Sequence, residues 1–180
     1  MKPSLVLAAL VLASTSALAA TKPVPTSCTP AVNTTLLQFL HDNSGDSHAQ
    51  LDNVMVCGTA VVDAFEQGAS STGTGAHQVI LLNIPTSDGS KVTVEVVTND
   101  SLDGVVAASK GDTVYAYGQG YITAARDIRK RIHPLAGVHD THCATNSHMD
   151  DGWVVVNGTH YPAQACSTSS RGRRRRSRSN

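Results

Sequence analysis

The sequence predicts a mainly β protein. Short runs rich in β-branched and apolar residues recur along most of the chain, and turn sequences such as Asn157-Gly158 separate them. Five of these runs are predicted strands: residues 54–63, 78–83, 91–97, 113–122 and 152–156. Their number and length match a small five-stranded OB-like barrel, with a small β-sandwich as the alternative.

A short helix is predicted before the strands, in an N-terminal segment of residues 20–52. Thr29-Pro30 has the form of an N-cap followed by proline at the first helical position. Val32, Leu36 and Leu40 then recur every four residues, which predicts an amphipathic helix that ends near residue 41.

The β domain is predicted to span residues 53–166, and its connecting segments differ in composition. Residues 67–76 are rich in Gly, Ser and Thr and predict a loop. Residues 102–109 predict one or two helical turns between the third and fourth strands. Residues 124–133 are basic and show the apolar spacing of a helix.

The N-terminus predicts export. Residues 1–19 combine Lys2, an apolar run over 5–13 and the small-x-small sequence Ala17-Leu18-Ala19. This is the pattern of a secretory signal peptide, and the apolar run is too short to span a bilayer. We therefore expect a periplasmic or extracellular protein without a transmembrane segment.

All four cysteines follow the signal sequence, which predicts two disulfides in an oxidising compartment. Three connectivities are possible. The pairs Cys28–Cys57 and Cys143–Cys166 are favoured because each would tie a flanking segment to the core. A metal site that includes Cys143 is the rival interpretation, although no CxxC pair supports it.

The zero net charge conceals an uneven distribution. Residues 20–170 hold 7 Lys and Arg against 14 Asp and Glu, whereas the last ten residues hold six arginines. Residues 167–180 are therefore predicted to form a disordered Arg-rich tail. Such a tail is a candidate to attract an anionic polymer or surface; the alternatives are a solvated tail without a specific role and a tail that folds back against the acidic body.

Histidines and aspartates concentrate between residues 137 and 161 in a predicted loop. Three nitrogens and one oxygen there suit Zn²⁺ or another divalent ion, the one cofactor that the sequence suggests: His139, His142, His148 and Asp150. The alternative is a loop in which these groups bind one another and the backbone, beside Trp153. His77 opens the second strand and is a candidate to project towards the same region; the alternative is a lone surface or hydrogen-bonded histidine.

Three tyrosines share one predicted strand at even spacing, so they are expected on one face: Tyr115, Tyr117 and Tyr121. On the exposed face of a barrel such a row could stack bases or sugar rings. Together with His77 and Trp153 they are the candidate binding residues. A core face is the alternative.

The chain resembles a family of small exported bacterial proteins catalogued as domain of unknown function number 3465. The motifs that carry the resemblance cover about residues 54–162: GTAVV (58–62), HQVILLNI (77–84), GDTVYAYGQGY (111–121), GVHDTH (137–142), HMDDGW (148–153) and NGTHY (157–161). This chain departs from the family pattern at Asp140, where the family usually has Trp, and at Cys143, where it usually has His. Residues 123–134 resemble an insertion. The resemblance implies a fold type and an exported location, and no reaction.

Enzyme motifs such as GxSxG, the Walker loop and HExxH are absent from the sequence. The sequence therefore favours a non-enzymatic ligand-binding module. The alternatives are a metal-dependent hydrolase of the nuclease or phosphoesterase type and a structural envelope protein.

Overall fold

The computed structural model describes residues 22–67, 76–124, 132–145 and 149–166. The predicted signal peptide, the predicted tail, and most of the loop 67–76 and of the basic stretch 124–133 lie outside these ranges. In chain order, the elements are α1 (Pro30–Asp42), β1 (Gln50–Ala60), β2 (Phe65–Gln67), β3 (His77–Pro85), β4 (Lys91–Asn99), β5 (Thr113–Ile122), β6 (Ala136–His139), β7 (Trp153–Val156) and β8 (Thr159–Tyr161).

Five strands close into a barrel, which confirms the predicted fold class. Their order is β1-β3-β4-β6-β5, and β5 pairs again with β1 to complete the ring. β4 and β6 run parallel over Val94–Val96 and Ala136–Val138, whereas the other barrel pairs are antiparallel. This strand order, closed by one parallel pair, is that of an OB barrel.

Two predicted elements differ from the structure. The predicted fifth strand, 152–156, forms β7 beside β5 and lies outside the closed ring. The fifth barrel strand is β6, within the segment predicted as a His-rich loop. The predicted helical turns at 102–109 are wrong, because Asn99–Asp103 form a tight turn and Gly104 follows with a φ of 81° that no α-helix accommodates.

Helix α1 packs against the barrel between β1 and β3. Thr29 has the extended conformation of an N-cap, but its side chain makes no capping hydrogen bond. Leu36 and Phe39 enter the barrel core. The fully buried Asn33 accepts a hydrogen bond from Cys57 N–H at 2.8 Å and donates one to Pro85 O at 3.1 Å. Its amide thus pairs backbone groups of both strands where they separate.

Alternation along the strands divides the side chains into an inner and an outer set. Val94 and Val96 of β4 and Val114 and Ala116 of β5 point into the main core. On the outer face of β3 and β4, Val79, Leu81 and Val97 form a second apolar cluster with residues before β2. This cluster therefore covers part of the outer face and buries polar residues that lie beside it on that face.

Two disulfides join Cys28 to Cys57 and Cys143 to Cys166, which confirms the favoured pairing. Cys143 is therefore neither a free thiol nor a thiolate ligand. The first bond ties the segment before α1 to β1, and the second ties the loop after β6 to the segment after β8. Among the described residues, no helix has the length and apolar character needed to cross a bilayer.

Candidate ligand-binding site

A cavity of about 460 Å³ opens on the outer face of the barrel, where β3 begins and β4 and β6 end. Its polar lining includes side chains from these strands, from β5 and from the loop after β6: His77, Asn99, Tyr121, His139, Asp140 and His142. Val97 and Leu102 add apolar surface. The fold thus brings together three of the histidines singled out from the sequence.

Two glycines position the loop that follows β6. A Cβ on Gly118 would lie 2.2 Å from the carbonyl oxygen of His139, and one on Gly152 would lie 2.3 Å from that of Asp140. The loop backbone therefore occupies the space that side chains would take at these positions. Gly152 N–H also donates to His142 O at 2.8 Å. Asp140 has a φ of 55°, in the left-handed region that Asp tolerates.

The Asp140 carboxylate lies between two imidazoles. Its Oδ1 is 3.3 Å from His139 Nδ1 and 3.6 Å from His142 Nε2. Contact with the His139 and His142 imidazoles holds the pKa of Asp140 well below its usual range. The same contact raises the pKa of His142, whose Nδ1 lies 3.0 Å from Cys143 O. The loop therefore carries a persistent negative charge at Asp140 beside a histidine biased towards its cationic form.

Asp103 supports this loop from behind. It is 2% exposed, and it accepts hydrogen bonds from Asn99 N–H at 2.6 Å and from the Thr141 hydroxyl at 3.2 Å. Burial raises its pKa above the usual value. Asp103 thereby joins the turn after β4 to the loop after β6, on two sides of the cavity.

Tyr121 lies across β6 on the outer face. A Cβ on Gly137 would lie 2.3 Å from Tyr121 Cζ, so the ring occupies the space above that glycine. The hydroxyl reaches over β6 and donates to Glu95 Oε1 of β4 at 2.7 Å. The His139 ring packs edge-on against Tyr121, with the centroids 5.0 Å apart. The ring is thus held at its end and at one side, while it still lines the cavity.

His77 and Asn99 form the opposite wall. They are paired across β3 and β4, and His77 Nε2 lies 3.4 Å from Asn99 Nδ2. Asn99 Oδ1 accepts hydrogen bonds from the backbone and hydroxyl of Ser101. His77 lines the same cavity as His139 and His142.

The other candidate aromatics lie elsewhere. Tyr117 and Trp153 are 3% and 4% exposed, stack with centroids 5.9 Å apart, and pack with Tyr115 in a separate cluster. Trp153 Nε1–H donates to Lys22 O at 2.9 Å. The three tyrosines share the outer face of β5, and of these Tyr121 alone lines the cavity described above. Trp153 lines a second cavity, of about 380 Å³, together with Lys22 and His160.

The predicted metal ligands are not all brought together. His139 and His142 flank Asp140, whereas Asp150 accepts a hydrogen bond from the Tyr117 hydroxyl at 2.8 Å. His148 lies outside the described residues. Within the described ranges, no group of three or more His, Cys, Asp or Glu side chains has an arrangement that could hold a metal ion.

Sequence reasoning did not identify Asp140, Asn99, Glu95 or Asp103 as site residues. Its position between His139 and His142 in the sequence could have identified Asp140. The other three carry no local signal, because their roles depend on strand register and on the turn after β4.

Comparison of the chain with protein-family models, with curated proteins and with solved structures finds no match. The resemblance to family 3465 stays a prediction that rests on the quoted motifs.

Proposed function

We propose that this protein is a ligand-binding module, exported from the cytoplasm, that holds a hydroxyl-bearing ring such as a sugar unit in the cavity beside Tyr121. The observation that carries the proposal is the tyrosine ring itself, which Glu95 and His139 hold in place above Gly137 while it lines an open cavity. A fixed aromatic ring gives a ligand an apolar surface to stack on, without a large loss of side-chain entropy.

The dimensions and the lining of the cavity support a small polar ligand. Its volume of about 460 Å³ falls in the range of small-molecule sites. Imidazole, amide and carboxylate groups from His77, Asn99, His139 and Asp140 surround the tyrosine. Hydroxyl groups both donate and accept hydrogen bonds, so they match such a mixed set of partners.

The position of the cavity on the barrel also supports this proposal. OB barrels commonly bind oligosaccharides and oligonucleotides on the face of their second and third strands, near the loops that follow strands one and four. Here those strands are β3 and β4, and His77, Val97 and Asn99 belong to them. Gln67, from the connection between β1 and β3, lines the same cavity.

The two disulfides support an oxidising location, in agreement with the predicted signal peptide. The finer assignment to the periplasm or the exterior rests on the sequence alone, as does attraction of the Arg-rich tail to an anionic polymer. The metal-dependent hydrolase and the structural envelope protein remain alternatives suggested by the sequence.

The test is a titration of the oxidised mature protein with neutral mono- and oligosaccharides, in which backbone amide NMR detects binding. We expect shifts centred on the cavity residues. Tyr121→Ala should weaken binding by about tenfold, within the range of about 1–3 kcal/mol for stacking on an aromatic side chain.

Tyr115→Ala is the matched control, because Tyr115 is also half-buried on the outer face of β5 but does not line the cavity. Equal affinity in the two variants, or sugar-induced shifts confined to another surface, would contradict the proposal.

A further inference from the structure

We propose, resting on the proposed function, that the ring bound beside Tyr121 carries a protonated amine, as an amino sugar does. The inference comes from the charge of the site. Among the described residues that line the cavity, Asp140 is the only Asp or Glu, and none is Lys or Arg.

The Asp140 carboxylate has one oxygen, Oδ2, that could accept a hydrogen bond from a ligand. Both histidine contacts are made through Oδ1, and no described residue donates a hydrogen bond to Oδ2. The side chain is 40% exposed at the cavity, so an ammonium group reaches it without further opening of the site. A charge-assisted hydrogen bond of this kind is about twice as strong as a neutral one.

The tyrosine ring favours the same ligand charge. Cations are attracted to the face of an aromatic ring by its quadrupole. The Tyr121 hydroxyl donates to the Glu95 carboxylate, and this donation increases the electron density of the ring. Tyr121 and Asp140 therefore act on an ammonium group in the same direction.

The other described residues near the cavity do not reverse this preference for a cationic ligand. Asp103 and Glu95 are buried next to the site, at 2% and 0% exposure. The described ranges contain three lysines and no arginine against 13 Asp and Glu. The imidazole of His142 offsets part of the charge of Asp140, but its two ring nitrogens already face Asp140 and Cys143 O.

The experiment uses three probes with the same ring and different charge: glucosamine, glucose and glucuronate at pH 7. Each is titrated into the oxidised mature chain with amide NMR detection. We expect glucosamine to bind about tenfold more tightly than glucose, and glucuronate to bind most weakly. The glucosamine advantage should shrink at 1 M salt, because salt screens partly exposed charges.

Asp140→Asn separates the charge from the shape of the site. Asn tolerates the φ of 55° at this position, so the loop is retained. Glucosamine affinity should fall further than glucose affinity, so that the roughly tenfold preference for glucosamine is lost, because the removed charge acts on the ammonium group. Asp46→Asn removes the same charge from an exposed position after α1 and should leave the affinities for both sugars unchanged.

The outcomes distinguish the two proposals. If glucose matches glucosamine at the cavity residues, the amine inference fails and the binding function stands. Tighter binding of glucuronate than of glucosamine would also overturn it. If none of the three probes shifts the cavity residues, both this inference and the proposed sugar site fail.

Discussion

The packing of Tyr121 over Gly137 makes Gly137→Ala an informative substitution. The added methyl would lie 2.3 Å from Tyr121 Cζ, far inside van der Waals contact, so the ring must move. Movement of the ring breaks its 2.7 Å hydrogen bond to the fully buried Glu95. The same movement removes the aromatic floor of the cavity.

The expected cost follows from the broken contact. A hydrogen bond to a charged group contributes about 1.5–3 kcal/mol. Alanine gains about 0.5–1 kcal/mol over glycine through the lower entropy of the unfolded chain. Gly137→Ala should therefore lower the free energy of unfolding by about 0.5–2.5 kcal/mol, or about 1–10 °C in Tm for a domain of this size. In a Tyr121→Ala background the clash is absent, so the same substitution should be neutral or slightly stabilising.

Urea denaturation of the four proteins of this double-mutant cycle measures the coupling between the two positions. We expect a coupling energy of about 2 kcal/mol. If Gly137→Ala has the same effect with and without the tyrosine ring, the ring does not occupy the space above Gly137. The account of the cavity floor would then be wrong.

Three further predictions follow from other contacts. Asn33→Leu removes the side chain that pairs the buried Cys57 N–H and the part-buried Pro85 O, and the loss of the Cys57 partner alone should lower the unfolding free energy by about 1–3 kcal/mol in urea denaturation. Thr35→Ala, on the exposed side of the helix, should be neutral or stabilising by less than about 1 kcal/mol, because Ala has the higher helix propensity. Similar changes in the two variants would refute the bridging role. Reduction of the two disulfides should lower the Tm, because the loop that each one closes stabilises the fold by about 3.5 kcal/mol through the entropy of the unfolded chain. An unchanged Tm on full reduction would contradict this. The Asp140–His142 contact should stabilise the fold most between pH 3.8 and pH 6.5, the unfolded pKa values of the two groups. The stabilisation from the lowered pKa of Asp140 is fully present above pH 3.8 and is lost as the pH falls through the folded pKa of Asp140. The stabilisation from the raised pKa of His142 is fully present below pH 6.5 and is lost as the pH rises through the folded pKa of His142. NMR titration should show the pKa of His142 falling in Asp140→Asn, and an unchanged value would show that Asp140 does not set it.

The barrel was predictable because its strands carry strong local patterns. Val92, Val94 and Val96 alternate with polar residues, and β4 forms there. β6 was missed because it has four residues, one of them His139, and exists through pairing with β4 on one side and β5 on the other. A strand this short has no periodicity to detect, so tertiary pairing decides it.

The site was predictable in composition and not in geometry. The density of histidines drew attention to the segment that supplies His139, Asp140 and His142 to the cavity lining. Glu95 alternates with buried valines and so carries the pattern of a solvent-facing residue, yet it is 0% exposed because Tyr121 reaches it across Gly137. This arrangement depends on which residues lie side by side in three neighbouring strands, and the sequence does not contain that register.

Closure of the barrel also bears on how the chain reaches its native state. β1 pairs with β5, and β4 with β6, across long stretches of intervening chain. Bringing such distant segments together requires loop-closure entropy to be overcome before pairing compensates for it, which slows folding relative to helical proteins. The polypeptide therefore exposes unpaired strand edges during this interval. Its yield in the cell should depend on chaperones that shield those edges until the ring is complete.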